Sequence, residues 1–308
     1  MSRSGRRTFP LVPRSLLVGI PFGEQRSSRR GAGSDAAGSR PYERGDPVAT
    51  IDWYASARLS AARGSDEFVV QTRYADEAPR VVLVVDRRPS MALYPPGLPW
   101  LSKPAAVAAA VGQITASAAM ARAELGYLDL GDGHPFWLPP GPRAQPSLVR
   151  RRATGETSYE APDDSVDRSL EFLLLRSRDL PPGAFVFVVS DFLHPPRTSL
   201  WVRALRARWD PVPVVVQDPT WEASFPDVAG VVVPYVDPAD GTVRDVRLSR
   251  AEARARRAAN VERRRRLVAG LSRIGIDHVA LDGAAEHEVA LAFLRWAEHR
   301  RRARRGRR

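Results

Sequence analysis

The chain has 308 residues, 44% of them hydrophobic, a formal net charge of +12 and no cysteine. That length accommodates one large α/β domain with extensions, or two small domains. The missing cysteines exclude disulfides, thiol catalysis and zinc-thiolate centres, and they accord with a cytoplasmic location.

Residues 1–40 are rich in Gly, Ser, Arg and Pro and read as a disordered basic segment. Their apolar stretch, Ser15 to Phe22, is broken by Pro21 and lacks a cleavage site, so no signal peptide is expected. Residues 41–80 bring bulk in Tyr42, Ile51, Trp53, Tyr54 and Leu59, followed by a strand at Phe68–Tyr74. Ala78-Pro79 punctuates before Val81-Val82-Leu83-Val84-Val85-Asp86, an unbroken apolar run that ends in a carboxylate. Such runs suit strands covered on both faces of a parallel sheet.

An Ala-rich helix is expected from about Ser102 to Ala123; Pro104–Ala121 is too polar for a transmembrane span. Leu125–Leu130 reads as a strand, His134–Leu138 as an antiparallel edge strand and Pro139–Pro146 as a loop. Ser165–Arg176 carries Val166, Leu170, Leu173 and Leu174 at helical spacing. Phe185-Val186-Phe187-Val188-Val189-Ser190-Asp191 repeats the pattern of an apolar run ending in a carboxylate. A helix near Ser199–Arg208 and a strand at Val212–Val216 follow. Val231–Val233 and Val243–Leu248 flank Asp240-Gly241, a hairpin signal. Ser249 and Glu252 have capping-box spacing and open a helix to about Ile274. His278–Leu281 is a last strand and Glu286–Arg300 a last helix, before a basic tail at 297–308. Alternating strands and helices predict a doubly wound, mostly parallel α/β sheet over 81–296.

Lys103 is the only lysine; every other basic residue is Arg, many of them near the two ends. No nucleic-acid reading motif accompanies the charge, so no specific nucleic acid is expected. A charge-driven contact of the Arg-rich tails with nucleic acid or an anionic membrane surface is the alternative. The five histidines lack zinc spacing, and phosphate-loop and nucleophile-elbow motifs are absent.

Tyr42-Glu43-Arg44-Gly45-Asp46, Ile51-Asp52-Trp53 and Ser56-Ala57-Arg58 together resemble the opening motif of the domain of unknown function 58 family. Val216-Gln217-Asp218-Pro219, Phe225-Pro226-Asp227 and Arg273-Ile274-Gly275-Ile276-Asp277 are similar to later blocks of that family. The Arg that precedes Ile-Asp-Trp in the family is Ala49 here. The resemblance covers about residues 41–296 and implies a von Willebrand factor A-like fold. It also implies a non-enzymatic interaction protein that acts with a MoxR-type AAA+ ATPase in assembling or maturing other proteins.

In that fold a metal-ion-dependent adhesion site uses D-x-S-x-S, a Thr and a late Asp. Asp86 matches the first Asp, Ser90 the second Ser and Asp191 the late Asp. Arg88 replaces the first Ser. The Thr position falls in Asp163-Asp164-Ser165, where Asp164 or Ser165 is the equivalent; the degenerate site is taken as Asp86, Ser90, Asp164 and Asp191, modified by Arg88. Magnesium needs an octahedron of oxygens, whereas a guanidinium has donors only. An inward Arg88 would neutralise the carboxylates and could offer a fork to a partner's carboxylate. An outward one would leave a weak magnesium site, and with it the alternative of a metal-dependent hydrolase. Gly45, Asp46, Ile51, Asp52, Trp53 and Arg58 read as structural: Trp53 buries its ring while Arg58 pairs with Asp46 or Asp52.

Overall fold

The computed structural model describes residues 8–14, 30–42, 48, 51–65, 67–74, 78–93, 101–141, 145–155, 158–237 and 242–305. The chain divides into two compact units, Ser15–Pro79 and a larger one built from Met1–Arg14 and Arg80–Arg308.

In the smaller unit, β1 (Arg30–Pro41) pairs antiparallel with β2 (Val69–Tyr74), and α1 (Trp53–Arg63) lies between them in sequence. The side chain of Asp52 accepts from the Ala55 N–H at 3.0 Å and so caps α1. Gly64 closes the helix at φ 64°, the left-handed conformation that favours glycine. Ser56 Oγ donates to the Asp52 carbonyl and accepts from the Val69 N–H, tying helix to strand. One expectation is corrected here: Trp53 is 60% exposed and meets Phe68 edge-on. Arg58 is exposed and lies 5.9 Å from the Tyr54 ring centroid, one helical turn away; its pairing with Asp46 lies outside the described residues. Gly45 and Asp46 lie outside the described residues, as does the Asp240-Gly241 turn.

The larger unit is a mixed α/β domain around a six-stranded, mostly parallel sheet. In chain order its elements are β3 (Arg80–Val85), α2 (Lys103–Met120), β4 (Glu124–Asp129), β5 (Phe136–Gly141), α3 (Gln145–Thr154), α4 (Ser165–Leu175), β6 (Phe185–Ser190), α5 (Thr198–Arg206) and β7 (Asp210–Val216). There follow the antiparallel hairpin of β8 (Val232–Val236) and β9 (Val243–Arg247), then α6 (Arg250–Arg273), β10 (Val279–Leu281) and α7 (Glu286–Arg305). The strands lie in the order β10-β7-β6-β3-β4-β5, all parallel except the edge strand β5.

Strand side chains alternate between two covered faces. Val82, Val84, Val186 and Val188 pack against Leu170 and Leu173 of α4, Trp201 of α5 and Leu271 of α6. On the opposite face Phe187 meets Phe293 and Trp296 of α7, and α2 covers β3 and β4. Both faces being dry explains why these strands read as apolar runs without alternation. Gly126 of β4 is required by close approach, because a Cβ there would sit 2.9 Å from Pro140.

Both chain ends differ from expectation. The segment read as disordered contains β1 and the stretch 8–14, in which Phe9, Leu11 and Val12 are buried. Phe9 stacks on Phe293 with centroids 4.6 Å apart, and its N–H donates to Ser117 Oγ. The tail read from 297 continues α7 to Arg305, and Arg300 is buried between Asp210 and Asp277 with its Nη1 also donating to the Val12 carbonyl. Three apolar residues in an Arg-rich stretch are too few to show a period, and a buried arginine looks like its exposed neighbours. The helix α3 was not expected either: besides Pro146 its apolar residues are Leu148, Val149 and Ala153, of which only Val149 and Ala153 are buried, too few to show a stripe.

Candidate functional site

From β3 the chain turns to β4 on one side and then crosses back to β6 on the other. The strand order therefore reverses between β3 and β6. At such a point the connections diverge and leave a crevice beyond the carboxyl ends of the strands. Asp86 follows β3, Ser190 ends β6 and Asp191 follows it; the Asp86 N–H donates to the Val189 carbonyl at 2.9 Å. The two carboxylates thus meet at one rim, as their positions after two apolar runs implied.

Arg88 points inward and lies between them. Its Nε donates to Asp86 Oδ2 at 2.8 Å, and its Nη2 donates to Asp191 Oδ1 at 2.9 Å and to Ser190 Oγ at 3.1 Å. Nη1 lies 3.0 Å from His194 Nδ1, which must be the acceptor because a guanidinium only donates. The Arg88 side chain is 1% exposed, and those of Asp86 and Asp191 are fully buried. Paired charge-assisted bonds of this kind are what a buried guanidinium requires.

A second cation stands on the other side of Asp191. Lys103, at the start of α2, donates to Asp191 Oδ2 at 2.9 Å and to the Ser90 carbonyl at 3.0 Å, and it pairs with Glu222. Ser90 Oγ donates to Asp191 Oδ2 at 2.6 Å. Burial opposes ionisation of Asp191, but Lys103 and Arg88, with hydrogen bonds from Ser90 and the Leu193 N–H, hold it below the usual carboxylate range. Glu222 moves the other way: burial raises it despite Lys103, with the Asp191 charge adding to the rise. The segment carrying Glu222 is pinned as well, since Asp218 accepts from the Leu101 N–H at 2.8 Å and its own N–H donates to Glu222.

Of the two candidates for the Thr position, the site takes Ser165. Its hydroxyl, at the start of α4, donates to Asp86 Oδ1 at 3.0 Å and is buried. Asp164 is corrected out of the cluster: it is about half exposed and pairs with Arg168 one turn along α4. A carboxylate at that position would add a further negative charge to a dry pocket, whereas a hydroxyl adds a donor.

Arg87 and Arg88 are both buried and point to opposite sides of β3. Arg87 donates from Nη2 to the Arg152 and Ala153 carbonyls at the end of α3 and to Tyr127 Oη, and from Nη1 to Tyr159 Oη. Asp129, the last residue of β4, is held by Arg152 through two bonds of 2.9 Å. Ser190, Lys103, Glu222 and this Arg87–Asp129 cluster were not singled out from the sequence. Lys103 had a legible signal, as the lone lysine in a chain that otherwise uses Arg. Among the described residues, no group of three or more His, Asp or Glu is arranged to hold a metal ion.

These features define a mixed α/β domain whose acidic pair, at the reversal point of the sheet, is neutralised by the chain's own cations. The chain belongs to the family described as "Protein of unknown function DUF58", which it matches over residues 38–267. It is 29% identical over 243 residues to the uncharacterized protein Rv1480 of Mycobacterium tuberculosis and, to the same extent, to the uncharacterized protein Mb1516 of Mycobacterium bovis, covering 78% of this chain and 71% of theirs. A crystal structure of an aerotolerance-related membrane protein from Bacteroides fragilis aligns with a TM-score of 0.40 and 14% identity over 71% of this chain and all of that one, a likeness too low to carry an argument. Among the described residues, no helix is long and apolar enough to cross a membrane.

Proposed function

We propose that this chain is a non-enzymatic, von Willebrand factor A-like interaction domain whose adhesion site is degenerate and closed by an internal cation. It acts, on this proposal, in the cytoplasm with a MoxR-type AAA+ ATPase in assembling or maturing other proteins. The strand order with one antiparallel edge and the carboxylates at its reversal point support the fold assignment. The partnership rests on what the family resemblance implies. One observation carries the reading of the site: the Arg88 guanidinium bridges Asp86 and Asp191 at 2.8 and 2.9 Å.

That geometry does not fit magnesium. A divalent ion needs short contacts to oxygens, and here the inward oxygens of both carboxylates already accept from Arg88, Lys103 and the Ser90, Ser165 and Ser190 hydroxyls. Adding a dication beside a buried guanidinium and ammonium would be repelled. The buried Arg88 has its donors turned to its own chain, so it presents no fork to a partner carboxylate; contact falls to the surrounding rim, where His194 is exposed. Ser90 has no strong base beside it, because its acceptor Asp191 is held below the usual carboxylate range and accepts protons poorly.

Calorimetry with magnesium and manganese tests the site. No binding is expected for the wild type, and Arg88→Ser, which restores the missing hydroxyl, is expected to bind. Equal binding to both would overturn the degenerate site. Affinity capture with the wild type and Asp191→Ala tests the partnership, which fails if neither recovers an AAA+ ATPase.

A further inference from the structure

Four residues beyond Asp191, Pro195 and Pro196 form one wall of a groove of about 490 Å³ between α5 and α6. Its floor is apolar: Trp201, Leu267, Leu271 and Ile274. Arg263 and Arg266 line its α6 side with Glu262; within the run Arg263–Arg266, Glu262 pairs with Arg265 and Arg266 and Asp282 with Arg264, so among the described residues Arg263 has no acidic partner. Arg263 donates from Nη2 to the Glu222 carbonyl at 2.9 Å, while its Nε is buried with no hydrogen-bond partner. A buried donor of this kind is costly unless something accepts from it.

Gly270 also lines the groove. It sits inside α6, where glycine is the poorest helix former after proline. No positive φ requires it there, and a Cβ at Gly270 would meet nothing within 4 Å. The missing side chain therefore leaves open space over the apolar floor.

We propose that this groove docks an acidic amphipathic helix of a partner protein, its apolar face lying over Gly270 and its carboxylates meeting Arg263 and competing with Glu262 for Arg266. An apolar floor takes anchors spaced at one helix face, as in other helix-in-groove contacts. The basic side selects the sign of the flanking charge and steers the encounter, in keeping with a chain of net charge +12. The surface meets the Arg88 cluster only through the Glu222 carbonyl that Arg263 holds, so the proposal does not depend on the function proposed for that site.

The probe is a fluorescent peptide of about 15 residues with Leu at i, i+3, i+4 and i+7 among Glu residues, beside a scramble of the same composition. Anisotropy is read on the full chain at physiological salt. The helical peptide is expected to bind at least about tenfold more tightly than the scramble. Gly270→Leu, which fills the open space without a clash, is expected to weaken binding at least about tenfold while its urea midpoint stays unchanged or rises. Arg263→Gln should weaken the acidic peptide but not a Gln-for-Glu version. Arg88→Ser should leave binding intact. The proposal fails if neither peptide binds, if both bind alike, or if Gly270→Leu binds as the wild type does. It also fails if phosphatidylglycerol vesicles, and not phosphatidylcholine ones, capture wild type and Gly270→Leu equally while the peptide does not bind; the basic face would then be a membrane surface.

Discussion

Replacing Arg88 with Met removes the guanidinium but keeps much of its bulk. The damage should fall on Asp86. Asp191 keeps Lys103 and Ser90, whereas Asp86 is left with the Ser165 and Ser190 hydroxyls and the N–H of residue 88. Stranding one buried charge in this way costs about 3–5 kcal/mol. At about 2–4 °C per kcal/mol for a domain of this size, the midpoint of thermal unfolding should fall by about 6–20 °C. Urea unfolding with an unchanged slope would confirm that stability alone has moved. Adding Asp86→Asn removes the stranded charge, so the double variant should lose less than the two single losses combined, by about 1–3 kcal/mol. A loss below about 1 kcal/mol, or simple additivity with Asp86→Asn, would refute the idea that these charges form one unit.

Urea titration should separate two adjacent residues: Ser165→Ala is expected to cost about 1.5–3 kcal/mol, through its bond to a charged acceptor, and Asp164→Ala to stay within about 0.5. Glu222 is raised on folding, so its contribution is present at low pH and lost as pH rises through its folded value; wild type should lose stability relative to Glu222→Gln over that range. Asp191 has the opposite sign, contributing above its unfolded value of about 3.9 and losing that contribution only as pH falls through its lower folded value. Amine-reactive labelling read by mass spectrometry should spare Lys103 in the native protein and modify it in urea, with equal rates in both refuting its burial. Phe9→Ala should cost about 3–5 kcal/mol, as for a core aromatic, and a neutral result would show that residues 8–14 add nothing to the core.

The sheet was legible because its strands are covered on both faces: Val81–Val85 and Phe185–Val189 have no polar alternation, and a carboxylate marks where each ends. The capping box at Ser249 and Glu252 was legible for a local reason, and both of its reciprocal bonds are formed. The direction of Arg88 was not legible, because the same spacing is met whether a long side chain turns inward or out. Lys103 and Glu222 reach the site from elements 119 residues apart in the numbering, 103 against 222, and no local pattern records that meeting. Trp53 shows the reverse error: a large aromatic in a recognisable motif was read as buried, yet its helix has only Ser56 buried.

The contact from Arg300 to the Val12 carbonyl spans 288 residues. During synthesis Phe9, Leu11 and Val12 leave the ribosome long before α7, the helix they pack on. Their apolar surface must wait while the residues between are made before it can be covered. Contacts so distant along the chain form slowly. The newborn protein thus depends on α7 to retire an adhesive early segment, and a product that stops before α7 would be prone to aggregate even with its central sheet fully made.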